Sequence, residues 1–308
     1  MSITETKGHR AKNKGIAQTR SDKVFETINI FLLCIILFIT LFPLLIVVQR
    51  SLVPPEDVMM SSGGLSSLIP HRITFDYYGY VINNQVIWRA YGVTLTRAAL
   101  GTAVNLLLTI MTAYPLSKKS LPGNRQLMLL FFITMIFSGG MIPTYLLVTS
   151  LGLQDTIWAL IIPSALSVYN MIIMRTFFRS LPIELEESAR IDGCNDIMIL
   201  IRIILPLSLP AIASVGLFYA VWHWNTFMDG VLYITDRRLW PLQILLRETL
   251  LTSSMSELEL NNSFAEVLPP PQGLIATEII VTMLPIICTY PLLQKHFVKG
   301  ILIGSVKG

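Results

Sequence analysis

The sequence predicts an all-α membrane protein with six transmembrane helices and one charged, glycine-broken hairpin held outside the membrane. Two observations of composition and one of pattern predict it. Hydrophobic residues make up 53% of the 308 positions and charged residues only 14%, against about 25% charged in a typical soluble domain. Mean hydropathy is +0.63. Uncharged runs approach the roughly 20 residues that a bilayer crossing needs. These runs are continuous and do not alternate with period two, which selects helices over a barrel.

The elements follow in order. Residues 1–23 are polar, basic and short of aromatics, and read as a flexible tail. Residues 24–308 form the transmembrane domain. The first crossing is 30–48. It is longer than the apolar core of about 7–15 residues in a cleaved signal peptide, and no small-x-small site follows it. A loop over 49–89 carries Pro54-Pro55, Gly63-Gly64 and the aromatics Phe75, Tyr77, Tyr78 and Tyr80; an amphipathic interfacial helix is expected over 75–87. Further crossings are expected over 98–115, 127–153, 156–174, 203–220 and 273–293, the last interrupted only by Glu278. A basic turn, 118–125, joins the second and third, and Leu121-Pro122-Gly123-Asn124 suits its tight geometry. Residues 151–155 make a short turn on the other side. The loop over 225–272 holds Asp236-Arg237-Arg238, an amphipathic stretch at 242–251 and Pro269-Pro270-Pro271. An ordered loop of that length is usually functional. No segment outside the membrane is long or apolar enough to bury its own core.

Positive charge orients the chain. With the N-terminus in the cytoplasm, most of the 23 Lys and Arg fall on inside segments. Both termini and residues 181–206 then face the cytoplasm, and the loops 49–89 and 225–272 face outside. The net charge of +4 reflects this topology, and no nucleic-acid partner is expected. Cys34, Cys194 and Cys288 show neither disulfide nor metal spacing; they read as small apolar fillers.

Residues 182–210 carry the most specific pattern, PIELEESARIDGCNDIMILIRIILPLSLP. Pro182 suits a first helical turn. Glu184, Glu186 and Glu187 lie where the helix dipole favours anions. Glu186 and Arg190 are spaced as an i,i+4 ion pair. Leu181, Leu185 and Ser188/Ala189 form one stripe, and Glu184, Glu187 and Ile191 another. Gly193 suits the left-handed end of a helix, and Asn195 or Asp196 can cap the next one, expected over 197–205 and ending at Pro206. From the residues alone, an ordinary amphipathic interfacial helix and a docking element for a soluble partner both fit.

Glu187-Ser188-Ala189, then Gly193, then Ile203-Ile204-Leu205-Pro206 resembles the EAA signature of binding-protein-dependent ABC importer permeases: EAA, three residues, G, nine residues, I-x-L-P. Ser188 stands where the family has Ala, a small-for-small departure. The wider wording ELEESARIDG…LPLSLP is similar to the carbohydrate branch, to the smaller maltose-permease subunit in particular. Phe137-Ser138-Gly139-Gly140 and the ending KGILIGSVKG resemble the Gram-positive complex-oligosaccharide subgroup. The resemblance covers essentially everything after residue 23.

The resemblance implies a type I ABC importer-like fold in a bacterial plasma membrane. It implies a coupling helix seated in a cleft of an ATPase subunit, with Glu184, Glu187, Ser188, Ala189, Asp192, Gly193, Leu205 and Pro206 forming the coupling segment. Glu187 would meet a basic residue of the ATPase, Ala189 would keep the contact face shallow, and Gly193 would make the bend. Ser305, Val306 and Lys307 would add a tail contact between the ATPase subunits. The implied partners are a companion permease, two ATPase subunits, an extracellular solute-binding protein, carbohydrate and membrane lipid. Part of 225–272 would reach into the binding protein. The chain has no GxxxxGK[ST] phosphate loop, so it is expected to hold no cofactor and to have no enzyme activity, with ATP and magnesium bound in the ATPase.

Polar groups within membrane helices default to functional candidates. Arg97, Asn105, Asn170, Trp224, Asn225 and Glu278 make up the expected substrate path. Arg97 and Glu278 are both near the outer ends of their helices and are expected to pair, or one of them to face a polar cavity. Trp222 and Trp224 suit interfacial anchoring or sugar stacking. Two other readings stay open: an ABC permease for another solute, and an ion-coupled secondary transporter. A membrane enzyme is disfavoured, because His9, His71, His223 and His296 are scattered and no nucleophile–base arrangement is present.

Overall fold

The computed structural model describes residues 20–54, 72–260 and 272–305. Among the described residues the regular structure is entirely helical. The axis of the fold is α3 (Gln85–Ser117), which follows α1 (Arg20–Leu52) and a short α2 (Asp76–Asn83). Asn84 starts α3 by accepting the Val86 N–H at 3.0 Å, the usual N-cap arrangement.

One face of α3 explains the packing. Ala90, Thr94, Arg97, Gly101, Asn105, Thr109 and Ala113 are all buried and recur every three or four residues, so they line one stripe. Most are small, which lets neighbouring helices approach closely, as membrane helix interfaces require. The main helices packed on this axis are α6 (Val168–Ser180) and α9 (Leu209–Asn225). The terminal helix, α12 (Gln272–Ser305), packs against α9 and against α1. Apolar side chains along α1 stay exposed, Phe31 and Phe38 among them, as suits a surface facing hydrocarbon or another subunit.

Lys23–Leu52 and Gln85–Ser117 are individually long and apolar enough to cross a membrane. Three other expected crossings are bent. The run 127–153 folds as α4 (Asn124–Ile136) and α5 (Met141–Ser150), meeting at 108°. Gly140 lies in the break with φ +89°, a conformation open to glycine. The run 156–174 becomes two short 3₁₀ turns within Ile157–Ser164, bent by 57° from α6. The run 203–220 breaks by 82° at Ser208, between α8 (Asp196–Leu207) and α9. Each of these three runs is therefore a bent pair of segments. Mean hydropathy counts apolar residues and carries no direction.

The helix ends form two faces. One carries the basic turn after α3, α7 (Glu184–Ile191) and α8. The opposite face carries α2, α10 (Met228–Tyr233), a 3₁₀ turn at Arg237–Leu239 and α11 (Leu242–Leu260). The amphipathic segments expected near 75–87 and 242–251 are thus helical, although the first ends at Asn83 because Asn84 starts α3. Residues 1–19 of the expected tail, Pro269-Pro270-Pro271, and Val306 and Lys307 lie outside the described residues.

Candidate functional site

The expected coupling segment folds as a tight helix–turn–helix. Gly193 has φ +84°. Its N–H donates to the Arg190 carbonyl at 3.0 Å, and the Cys194 N–H donates to the Ala189 carbonyl at 2.9 Å. A left-handed glycine thereby satisfies the last carbonyls of α7. Asn195 caps α8, its side chain accepting the Met198 N–H at 2.8 Å. The helix then runs on through Pro206, where the sequence pattern had ended it. A π-turn over Leu200–Ile204, with the Leu205 N–H reaching back to the Leu200 carbonyl, shifts the backbone register just before Pro206, which itself has no N–H to donate.

The hairpin has an inner and an outer side. Ala189 is 5% exposed and packs with Phe178, Ile199 and Ile204 in the main core. It faces the membrane helices, so keeping an outward contact face shallow does not fall to Ala189; its small side chain lets α7 sit close beneath them. Glu184, Glu187, Ser188 and Asp192 are exposed, Leu205 is half-buried and Pro206 exposed. Ile183, Ile191 and Ile197 are also exposed, Ile191 by 87%. The outer surface therefore mixes carboxylates with large apolar side chains, a composition that suits a protein contact.

The expected Glu186–Arg190 pair does not form. Glu186 instead pairs with Lys118 at the end of α3, and Arg190 reaches across the turn to Asp196 at 2.7 Å. Lys118 also lies 4.2 Å from the Tyr114 ring centroid, and Tyr114 meets Phe178 edge-on. A half-buried ion pair thus ties the hairpin to the central helix, and the aromatic contact ties α6 to it.

At the opposite face, Arg97 is fully buried and pairs with Asp229. It donates to the Thr226 carbonyl at 2.9 Å and lies 5.7 Å from the Trp222 ring centroid. The expected Arg97–Glu278 pair is therefore corrected. Asp229 belongs to a short helix just after α9 that turns back toward α3, which brings its carboxylate onto the guanidinium. Asp229 also accepts the Gly230 N–H at 2.9 Å. The sequence offered one signal for it: Asp229 is the first charged residue after Arg202. Glu278 is instead hydrogen-bonded to Thr249 and lines a narrow crevice with Val81, Ile87, Leu242 and Thr282.

The remaining path residues are dispersed. Asn105 donates to the Ser164 carbonyl at 3.2 Å. Asn170 is buried in the first turn of α6, which Ser167 caps. Trp224 packs with Val81, Ile87, Ala90 and Leu242 and meets Tyr91 edge-on at 6.3 Å. Asn225 is exposed and donates to the Val221 carbonyl of its own helix at 2.9 Å. The six do not converge on one cavity among the described residues. His223 is buried against Gly101, where an added Cβ would overlap the imidazole ring. Gly101→Ala is expected to destabilise by about 1–3 kcal/mol through overpacking. Gly92→Ala, which meets nothing within 4 Å, is expected to be neutral or to gain up to about 1 kcal/mol of helix propensity. Thermal unfolding of the purified complex separates the two.

Asp155 clamps the loops of this face together. It adopts φ +53°, and its carboxylate accepts the N–H groups of Thr235 at 2.6 Å and Asp236 at 2.9 Å. Its own N–H donates to the Tyr233 carbonyl at 3.0 Å, and Tyr233 stacks on Tyr145. Hydrogen bonds from Arg238 hold the Asp236 carboxyl below its usual range. Asp155→Ala is expected to loosen the loop by about 1–2 kcal/mol, seen as roughly tenfold faster amide exchange at Thr235 and Asp236. Unchanged exchange would remove the clamp.

Comparison with known proteins adds identity to this geometry. Residues 105–303 match the family described as binding-protein-dependent transport system inner membrane component. The chain is 42% identical over 287 residues to the polygalacturonan/rhamnogalacturonan transport system permease protein YtcP of Bacillus subtilis (strain 168), covering 93% of this chain and 99% of that protein. It is 44% identical over 290 residues to protein LplC of the same organism, covering 94% and 97%. Among solved structures, a bacterial ABC transporter involved in the import of the acidic polysaccharide alginate contains a chain that superposes with a TM-score of 0.80 at 31% identity, over 91% of this chain and 99% of that one. Matched in sequence and in fold along nearly its whole length, the chain belongs to the binding-protein-dependent transport system inner membrane components, the permeases of ABC importers.

Proposed function

We propose that this chain is the membrane-spanning permease subunit of an ATP-driven, binding-protein-dependent importer of oligosaccharides. The observation that carries the reading is full-length similarity to a permease named for polygalacturonan and rhamnogalacturonan transport, joined to a likeness in fold to an alginate importer. In this reading the chain crosses the membrane six times with both termini in the cytoplasm. The tail 1–23 precedes a permease domain over 24–308. The exposed surface formed by Glu184, Glu187, Ser188, Ile191 and Asp192 faces one of two ATPase subunits, which bind ATP and magnesium. Ser305, Val306 and Lys307 add a contact on the same side. A companion permease completes the solute path, which accounts for the dispersal of Arg97, Asn105, Asn170, Trp224, Asn225 and Glu278 within one chain. The loops at 49–89 and 225–272 face an extracellular solute-binding protein.

The test is uptake by cells deleted for this gene and complemented with it. Labelled oligosaccharides, galacturonides and alginate fragments among them, are offered beside amino acids and peptides. The reading expects loss of oligosaccharide uptake on deletion and its return on complementation. Loss confined to amino acids or peptides would overturn the sugar assignment. Uptake that survives ATP depletion but collapses with the ion gradient would overturn the ABC mechanism.

A further inference from the structure

Beside the hairpin, and outside its contact surface, five cations surround an open hollow of about 590 Å³. They are Lys118 and Lys119 from the turn after α3, Arg125 from the start of α4, and Arg175 and Arg179 from the end of α6. No carboxylate lines the hollow. Lys118 is engaged by Glu186. Arg175 donates to the Leu116 carbonyl at 2.7 Å and to the Asn124 side chain at 3.4 Å. Among the described residues, Lys119, Arg125 and Arg179 form no ion pair. Three uncompensated cations around one concavity repel one another unless an anion sits between them.

The floor of the hollow identifies the kind of anion. Arg125, Leu129 and Phe132 all line it, and their i, i+4, i+7 spacing puts them on one face of α4. Leu129 and Phe132 are 60% and 44% exposed. Charge thus gives way to exposed hydrocarbon over about 10 Å of helix, running from the helix end into the membrane-spanning part of the chain. A free phosphate would use the cations and leave the apolar floor bare, whereas a phospholipid uses both. Basic hollows between membrane helices are suited to anionic lipid headgroups. We propose that this hollow seats an anionic phospholipid, its phosphate against Lys119, Arg125 and Arg179 and its acyl chain along Leu129 and Phe132. The inference rests on the membrane placement of the chain and is independent of which solute is carried.

The assembled complex, passed through nanodiscs of equal phosphatidylglycerol and phosphatidylcholine and re-extracted in detergent, is read by native mass spectrometry. Wild type is expected to retain phosphatidylglycerol over phosphatidylcholine by roughly 10–100-fold, at about one order of magnitude or less per cation. Lys119→Gln, Arg125→Gln and Arg179→Gln together are expected to abolish that preference. Should the triple variant fail to assemble, Arg125→Glu alone is read in its place, with a loss of roughly tenfold expected. Equal retention of the two lipids by wild type, or a preference unchanged in the variant read, would overturn the proposal. Retention of inorganic phosphate by wild type with no phospholipid retained would overturn the lipid as occupant. Solute uptake is not the readout, so failure of the permease reading would show separately.

Discussion

Arg97→Ala is expected to cost about 3–5 kcal/mol, because it leaves the Asp229 carboxylate largely buried without its cation. The guanidinium does three jobs that alanine cannot: it neutralises Asp229, donates to the Thr226 carbonyl and lies against Trp222. Its loss detaches the segment after α9 from the central helix. Arg97→Lys is expected to fall short as well, because an ammonium cannot reproduce the planar fork that reaches two acceptors. Arg97→Met with Asp229→Leu should recover most of the loss, since removing both charges also removes their desolvation cost. The checks are the thermal midpoint of the purified complex and its abundance in membranes. A destabilised single variant rescued by the double variant assigns Arg97 to architecture. A rescued complex that folds normally but imports nothing would instead assign the pair to the solute path. Normal stability of Arg97→Ala would contradict the buried pair altogether.

The misassigned partner of Arg97 shows how far the sequence could be read. The apolar runs located the membrane helices because crossing length and hydropathy are properties of composition. Arg97 was legible as special, since an unpaired cation in a membrane helix is costly. Its partner was not, because Glu278 was the other charge inside an apolar run whereas Asp229 counted as loop. Only the backward turn after Asn225 brings Asp229 to α3, and that turn is a tertiary event. The bends at Gly140 and Ser208 escaped for a related reason: windows of hydropathy do not record direction. The hairpin was read better, because Gly193 and Asn195 act through local backbone geometry. Its inner face was read less well. Ala189 and Glu186 are committed to Phe178, Ile199 and Lys118, contacts made across elements that no helical period reveals. Asp155 lies in a short turn whose composition gives no sign that its carboxylate holds two backbone N–H groups of a distant loop.

The second large effect concerns the hairpin. Gly193→Pro forces φ near −65° where the backbone has +84°, and it deletes the N–H that bonds to Arg190. The left-handed turn between α7 and α8 cannot survive that change. The crossings are stabilised by α3, α6 and α9, which the substitution does not touch, so insertion is expected to persist. Glu187→Lys acts differently. Glu187 is exposed and makes no ion pair within the chain among the described residues, so folding should be indifferent to the reversal. On the proposed reading, Glu187 meets a basic residue of the ATPase, and the reversal would lose that contact, at about 2–5 kcal/mol for breaking a buried interfacial pair. That is enough to separate ATP hydrolysis from solute movement.

The direct measurement is ATPase activity of the reconstituted complex with and without solute-loaded binding protein, comparing wild type with Glu187→Lys and Gly193→Pro. The account predicts solute-stimulated hydrolysis in wild type and none in either variant, with the permease present in the membrane at normal abundance. Full stimulation and normal uptake in both variants would contradict the claim that this hairpin drives the subunit.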